Sequence, residues 1–288
     1  MTEIGRVAIV GAGQIGTMLG QALMDTGGGA AEVAVFDRDP EVARASVALG
    51  GAQLALERAE LVLEADTVIL AVPVDEIVRW LEEWGGVLRP GCLLLDTGSA
   101  KVQVVAAMRQ YVPPLAHAVG GHPICGTETT GPAAARREAL RGAIFALAPV
   151  RPDQVALDRA ADLVSSLGSV PLQLSCEQHD RILARSSHLP HLLATALACV
   201  CLGADDDRQM VRAMVGPGFV GASRLAEASP EMVASFALAN STELSCALEE
   251  FGRELALLAE ALGGGEVALR SALNRGGEAR RELVRRSV

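Results

Sequence analysis

Lysine and aromatic residues are nearly missing from this chain. Lys101 is the only lysine among 25 basic residues, and Phe, Trp and Tyr together make up 3% of 288 residues. Arginine takes over the solvated positive charge and aliphatic side chains fill the core, so the one lysine kept stands out. Positive charge as a whole is in deficit: the net charge is −10 and the pI about 5.1. That balance excludes a basic nucleic-acid footprint and a polybasic membrane surface. An anionic substrate would be repelled at long range and would need cations supplied at its own site. No apolar run is long enough to cross a bilayer; the longest, Leu189 to Leu202, is interrupted by Pro190 and His191 and reads as a buried helix. A basic leader is also missing, and the first apolar run stops at Gly11, so no signal peptide is expected. Six cysteines form no CxxC pair and no metal-type spacing. They read as reduced, buried thiols of a cytoplasmic protein.

What is present is core. Hydrophobic residues are 50% of the chain and charged residues 21%, enough for two domains and too apolar for disorder. Short β-branched runs at 6–10, 32–36, 66–72, 92–96, 116–120 and 143–148 alternate with helical patterns at 17–26, 40–49, 75–84 and 101–111. Strands that alternate with helices imply a parallel, doubly wound α/β sheet. After Pro149 and Pro152 the texture changes, and from Gln178 onward it is nearly all helix-forming. The expected organisation is an α/β domain over 1–150 and an α-helical domain over 151–288.

Gly11-x-Gly13-x-x-Gly16 sits between the first strand and the first helix, the context in which this spacing binds a dinucleotide. Gly11 permits the tight turn, Gly13 lets the backbone approach a pyrophosphate, and Gly16 allows close helix–strand packing. The helix N-terminus adds free N–H groups and a positive dipole end. An acidic residue is expected about 20 residues on, and Asp37 closes the second strand there. Its carboxylate accepts from ribose hydroxyls and repels a 2′-phosphate, which favours NAD over NADP; the adjacent Arg38 softens that preference. The expected cofactor set is Gly11, Gly13, Gln14, Ile15, Gly16, Asp37 and Arg38, with Val72, Pro73 and Asp96 at the ends of the following strands.

Four of the five histidines fall in two segments. Gly120-Gly121-His122-Pro123 follows a strand, so His122 is expected in a loop at the carboxyl end of the sheet, where ligands bind and an imidazole exchanges protons near neutral pH. The second segment runs from His179-Asp180 to Ser187-His188-Leu189-Pro190-His191. Ser187 and His191 are spaced i, i+4 on one helical face with His188 beside them, and Pro190 should kink that helix. No carboxylate or thiol stands at a spacing that would complete a zinc site. Asp96-Thr97-Gly98-Ser99-Ala100-Lys101 follows another strand and opens a helix, with Ser99 placed as a cap or a substrate partner. Gly216-Pro217-Gly218-Phe219 leads to Arg224, a residue type suited to clamping a carboxylate.

Taken together, these motifs resemble the prephenate/arogenate dehydrogenase family along nearly the whole chain. The resemblance rests on the glycine fingerprint, Asp96-x-Gly-Ser-x-Lys101, Gly-Gly-His122-Pro-x-x-Gly-Thr-Glu128, Ser187-His-Leu-Pro-His191, and Gly-x-Gly-Phe219 followed by Arg224. It implies a Rossmann domain joined to an all-helical dimerisation domain, and hence a homodimer. It implies NAD-dependent oxidative decarboxylation of a cyclohexadienyl substrate, with no metal. His122 would accept the proton of the ring hydroxyl and Ser99 would orient that hydroxyl. Arg224 would bind the ring carboxylate, His191, His188 and Ser187 would line the pocket, and Thr127 and Glu128 would help close it. Two positions depart from the family pattern: Gly221 replaces an acidic residue three before Arg224, and Glu231-Met232-Val233 follows Pro230 where a Trp is common. The substrate therefore stays open among prephenate, arogenate and a 4-amino analogue. A β-hydroxyacid or imine reductase is disfavoured because no lysine follows residue 101. A nucleotide-binding protein without catalysis is disfavoured by the intact Ser99, His122 and Arg224.

Overall fold

The computed structural model describes residues 4–25, 30–125, 129–203 and 208–284. Two units are resolved, residues 1–241 and 242–288.

The first unit opens with β1 (Gly5–Val10), α1 (Gln14–Asp25), β2 (Ala30–Phe36), α2 (Pro40–Ala48), β3 (Leu54–Ala55), β4 (Thr67–Leu70), α3 (Val74–Trp84), β5 (Leu93–Asp96), α4 (Val102–Tyr111) and β6 (His117–Pro123). It continues with β7 (Ile144–Pro149), α5 (Gln154–Ser166), β8 (Val170–Gln173), α6 (Cys176–Leu183), α7 (Leu189–Leu202), α8 (Arg208–Met214), α9 (Pro217–Ser223) and α10 (Pro230–Ala239). The eight strands form one sheet in the order β3-β2-β1-β4-β5-β6-β7-β8. The order reverses between β1 and β4, which opens a crevice at the carboxyl end of β1.

The strands read as unbroken apolar runs because both faces of the sheet are buried. Val7, Ile9, Leu93 and Leu95 face one core, which Met18, Leu19 and Leu163 of the helices complete. Ala8, Val10, Leu70 and Leu94 face the other, packed by Ile77, Leu81 and Met108. A single register step would exchange the two sets.

One junction departs from the parallel expectation. β7 pairs antiparallel with β6, from Val119↔Pro149 to Pro123↔Phe145. Among the described residues between them, the regular elements are short 3-10 turns at Pro132–Ala134 and Arg137–Leu140. A parallel return needs a long crossover, usually a helix, and here the chain returns as a neighbour of opposite sense. β6 also runs to Pro123, so His122 is the next-to-last residue of a strand rather than part of a loop. The sheet continues past the expected boundary near residue 150, through α5 to β8.

Pro190 interrupts the helical ladder as expected, and the accommodation is specific: a π-turn at Ala184–His188 precedes α7. A wider turn skips the hydrogen bond that proline cannot make. The buried-helix reading of Leu189–Leu202 needs correction. Only Leu189 and Ala194 of α7 are buried, while Val200 is 75% exposed and Leu202 56%. Among the described residues, no helix is long and apolar enough to cross a membrane.

The second unit holds nearly all of α11 (Ser241–Gly263) and α12 (Glu266–Val284). It leaves Leu255, Leu262, Val267 and Leu283 open to solvent.

Gly20 fixes the approach of α1 to the chain after α2: a Cβ there would lie 1.7 Å from the Gly51 carbonyl oxygen. Because the obstacle is backbone, Gly20→Ala should destabilise by about 1–3 kcal/mol, the usual cost of overpacking. Chemical denaturation checks this, and an unchanged midpoint would refute it.

Candidate active site

Gly11, at φ +98°, turns the chain out of β1, and its N–H donates to the Phe36 carbonyl at 2.7 Å. A Cβ on Gly11 would sit 2.4 Å from the Ala71 carbonyl, and one on Gly16 would sit 1.9 Å from the Gly11 carbonyl. Both glycines are thus demanded by the protein's own packing. Gly13 differs: nothing lies within 4 Å of a Cβ built there. The open space above it is where the fingerprint needs room for a pyrophosphate.

That space belongs to a cavity of about 710 Å³, lined by Gly11, Gly13, Asp37, Arg38, Trp80 and Trp84 among others. Asp37 caps the glycine turn: Oδ2 accepts from the Ala12 N–H at 2.8 Å, and Oδ1 accepts from the Asp39 N–H at 3.0 Å. Each oxygen keeps a second lone pair for a ribose hydroxyl. Arg38 pairs with Glu76 at 3.1 Å and is otherwise in solvent, with its side chain 84% exposed. Trp80 lines this cavity, while its indole N–H is buried and has no hydrogen-bond partner among the described residues.

A second cavity, of about 420 Å³, shares Gly13, Val72 and Pro73 with the first and adds Gln14, Ile15, Ser99 and His122. Gln14 donates to Thr129 Oγ1 at 3.2 Å. Phe236, Met232 and Glu231 of α10 form part of its wall. The cleft thus runs from the mouth of the glycine turn to the end of β6.

Asp96 corrects an expectation. It is fully buried, and its contacts are internal rather than toward a cofactor. Oδ2 accepts from the Gly98 N–H at 2.7 Å, Oδ1 accepts from the Gly121 N–H at 2.8 Å, and the Lys101 ammonium pairs with it. Lys101 is equally buried. Burial pulls its ammonium below the ordinary lysine range, against the opposing pull of Asp96. Gly121 is required here, since a Cβ would lie 2.4 Å from the Asp96 carbonyl.

His122 emerges from β6 beside this pair. Its Nδ1 lies 2.9 Å from His179 Nε2, and His179 Nδ1 lies 2.7 Å from Asp180 Oδ1. Asp180 in turn accepts from the N–H groups of Lys101 at 2.6 Å and Val102 at 2.8 Å, capping α4 from another element. Burial pushes the His122 imidazole well below its ordinary value, and His179, Lys101 and His188 push the same way. The ring is therefore neutral near pH 7 and able to accept a proton.

Sequence reasoning gave no role to His179 or Asp180. The signal was present: Cys176, His179, Asp180 and Leu183 are the buried residues of α6, at i, i+3, i+4 and i+7. Two ionisable groups on the core face of an amphipathic helix require partners.

The other expected substrate residues are placed less uniformly. His188 is fully buried and stacks on Phe236, with ring centroids 4.5 Å apart. Asn240 Nδ2 lies 3.2 Å from its Nδ1. His188 thus sits behind the cavity wall rather than in it. His191 Nδ1 donates to the Leu225 carbonyl at 3.3 Å. Neither His191, the half-buried Ser187 nor the exposed Arg224 lines the cavity. Thr127 and Glu128 lie outside the described residues.

Burial pushes the His188 imidazole down to about 4, with Asp180 opposing. The unfolded chain protonates this residue near 6.5 and the folded chain resists until about 4, so its contribution to stability is lost as pH falls through that window. The loss attributable to His188 is about 3 kcal/mol. Urea unfolding at pH 7 and pH 4.5 should show a smaller drop for His188→Gln than for the wild type, and equal drops would refute this.

Two family models match the chain: "Prephenate dehydrogenase, nucleotide-binding domain" over residues 19–172 and "Prephenate dehydrogenase, dimerization domain" over 175–270. The prephenate dehydrogenase of Bacillus subtilis is 31% identical over 67% of this chain, and the match spans 53% of that enzyme, about half its length. The cyclohexadienyl dehydrogenase of Zymomonas mobilis is 30% identical over 91% of this chain and 90% of its own. The crystal structure of prephenate dehydrogenase from Aquifex aeolicus, in complex with hydroxyphenyl propionate and NAD+, superposes with a TM-score of 0.90. It is 26% identical, covering 98% of this chain and 99% of that one. The models meet where the sheet ends, at β8, and the first takes in Asp37, Ser99 and the strand-end His122: the chain belongs to the prephenate dehydrogenase family.

Proposed function

We propose that the protein catalyses NAD-dependent oxidative decarboxylation of a cyclohexadienyl acid, with prephenate as the first candidate. The observation that carries this reading is His122, neutral by burial, on the wall of a cavity continuous with the glycine-turn cleft. The residues present suit NAD. The space over Gly13 admits the pyrophosphate against the N-terminus of α1, and Asp37 takes the ribose hydroxyls. NAD, when bound, supplies the hydride acceptor. His122 accepts the proton of the C4 hydroxyl as the C4 hydride leaves, and Ser99 on the same wall orients that hydroxyl. Loss of carbon dioxide from C1 then aromatises the ring. Arg224 at the start of a 3-10 turn, next to the Leu225 that His191 holds, is assigned to a substrate carboxylate.

A second substrate reading has its own support. Glu231 lines the cavity, and Ser229 Oγ donates to its Oε2 at 2.7 Å. A carboxylate there suits an ammonium group, as in arogenate or 4-amino-4-deoxyprephenate. Assays with all three substrates should give NADH from at least one, and silence with all three would sink the proposal. His122→Asn should keep substrate binding and lose about 10²–10⁴-fold in kcat, the usual share of a general base. Arg224→Ala should mainly raise KM and leave kcat near wild type. A pure KM effect in the first variant, or none in the second, would reassign the roles.

The exposed leucines of α11 and α12, and the exposed end of α7, support a homodimer through the helical half. Its interface should exceed about 2,000 Å². Sedimentation at micromolar concentration should give a dimer, and a stable monomer would refute it.

A further inference from the structure

The row His122–His179–Asp180 leads inward from the cavity wall to the N-terminus of α4. We propose that His179 is a positioning residue that fixes the tautomer of His122 and takes up the proton displaced from it during the reaction. This rests on the assignment of His122 as the base.

Hydrogen-bond direction decides the first half. An ionised carboxylate only accepts, so Asp180 Oδ1, at 2.7 Å, requires the proton of His179 on Nδ1. Neutral His179 then offers a lone pair at Nε2. His122 Nδ1, at 2.9 Å, must donate to it. His122 Nε2 is left bare, which is the form a base needs. Asp180 itself is held in place by two N–H groups at the start of α4, where the helix dipole favours a negative charge.

The second half follows from charge. Lys101 is buried close by, and its electrostatic effect on His122, like those of His188 and His179, opposes a positive ring. A proton left on His122 would be poorly accommodated. One step inward the surroundings change: His179 faces Asp180, whereas Lys101 is paired with Asp96. His188 and, beyond it, His191 complete the ionisable groups on the helical side.

The transfer balances. The O–H bond at C4 breaks and the proton joins His122 Nε2, while the Nδ1 proton of His122 moves to His179 Nε2. The C4–H electron pair leaves to NAD. At this ketone stage His122 is neutral with its tautomer exchanged, and His179 is an imidazolium against Asp180. The bond from C1 to its carboxylate then breaks, carbon dioxide departs, its electrons complete the aromatic ring, and the C4 carbonyl pair withdraws onto oxygen. This phenolate takes the proton back from His122 Nε2 as His179 returns its own to His122 Nδ1, which restores both imidazoles.

His179→Gln tests the relay. Its amide oxygen can accept from His122 Nδ1 but cannot take the proton. NAD affinity by calorimetry, thermal midpoint and KM should stay near wild type. The rate should fall by about 10–100-fold, part of a general base's share, and the acid limb of kcat/KM should move to lower pH. Unchanged kcat and an unchanged limb in a folded variant would overturn the proposal. A loss of NAD affinity and stability with the limb in place would likewise reduce His179 to packing. If the variant does not fold, a proton inventory on single turnovers of the wild type decides: two protons in motion bow the plot, and a straight line overturns the relay. A normal His179→Gln beside a dead His122→Asn removes the relay alone. An active His122→Asn removes the assignment of the base on which it stands.

Discussion

The buried pair of Asp96 and Lys101 is the constraint on which the site depends. One carboxylate ties three pieces of backbone: the end of β5, the turn carrying Ser99, and the end of β6 that carries His122. Desolvating two charges costs several kcal/mol each, and close pairing with hydrogen bonds must return most of that. The return here is geometric as well as energetic. Gly121 could not approach the β5 terminus with a side chain, and the Asp96 oxygen occupies the space that its small size leaves. In a chain that uses arginine everywhere else, a compact ammonium fits this closed space where a forked guanidinium would not.

A second buried carboxylate repeats the device from the opposite direction. Asp180 belongs to α6, yet it caps α4 by accepting from Lys101 and Val102. Lys101 is therefore held through its side chain by Asp96 and through its backbone by Asp180. The two acids fix the first turn of α4 between the sheet and the following helix. The two walls that meet at His122 are in this way joined by polar contacts that tolerate little displacement.

Much of this was legible in the chain. The alternation of apolar runs and helical patterns gave the doubly wound sheet, because strands buried on both faces leave continuous β-branched runs and little ambiguity. The glycine fingerprint gave the cleft, since Gly11 and Gly16 are demanded by backbone proximity that no other residue meets. Ser99 came from its position after a strand, and His122 from its place at the carboxyl end of the sheet. The antiparallel β7 was hidden because the segment before it, with two short 3-10 turns, carries no periodic signal. The short β3 and β8 have too few residues to show alternation. Asp96 was misread because a carboxylate at a strand end looks the same whether it faces a ligand or a buried lysine. His188 was misread because a π-turn shifts the helical phase, which spacing rules assume constant. His179 and Asp180 carried the clearest unused signal, being polar residues on a core face.

The scarcity of aromatic residues has an optical consequence. The chain contains two tryptophans, and both line the cavity at the mouth of the glycine turn. Indole emission from this protein therefore originates at one place, with no background from elsewhere in the fold. A reduced nicotinamide absorbs in the band where indole emits. Occupancy of the cleft is thus written into the protein's own fluorescence, as quenching of the two indoles and sensitised emission from the dinucleotide.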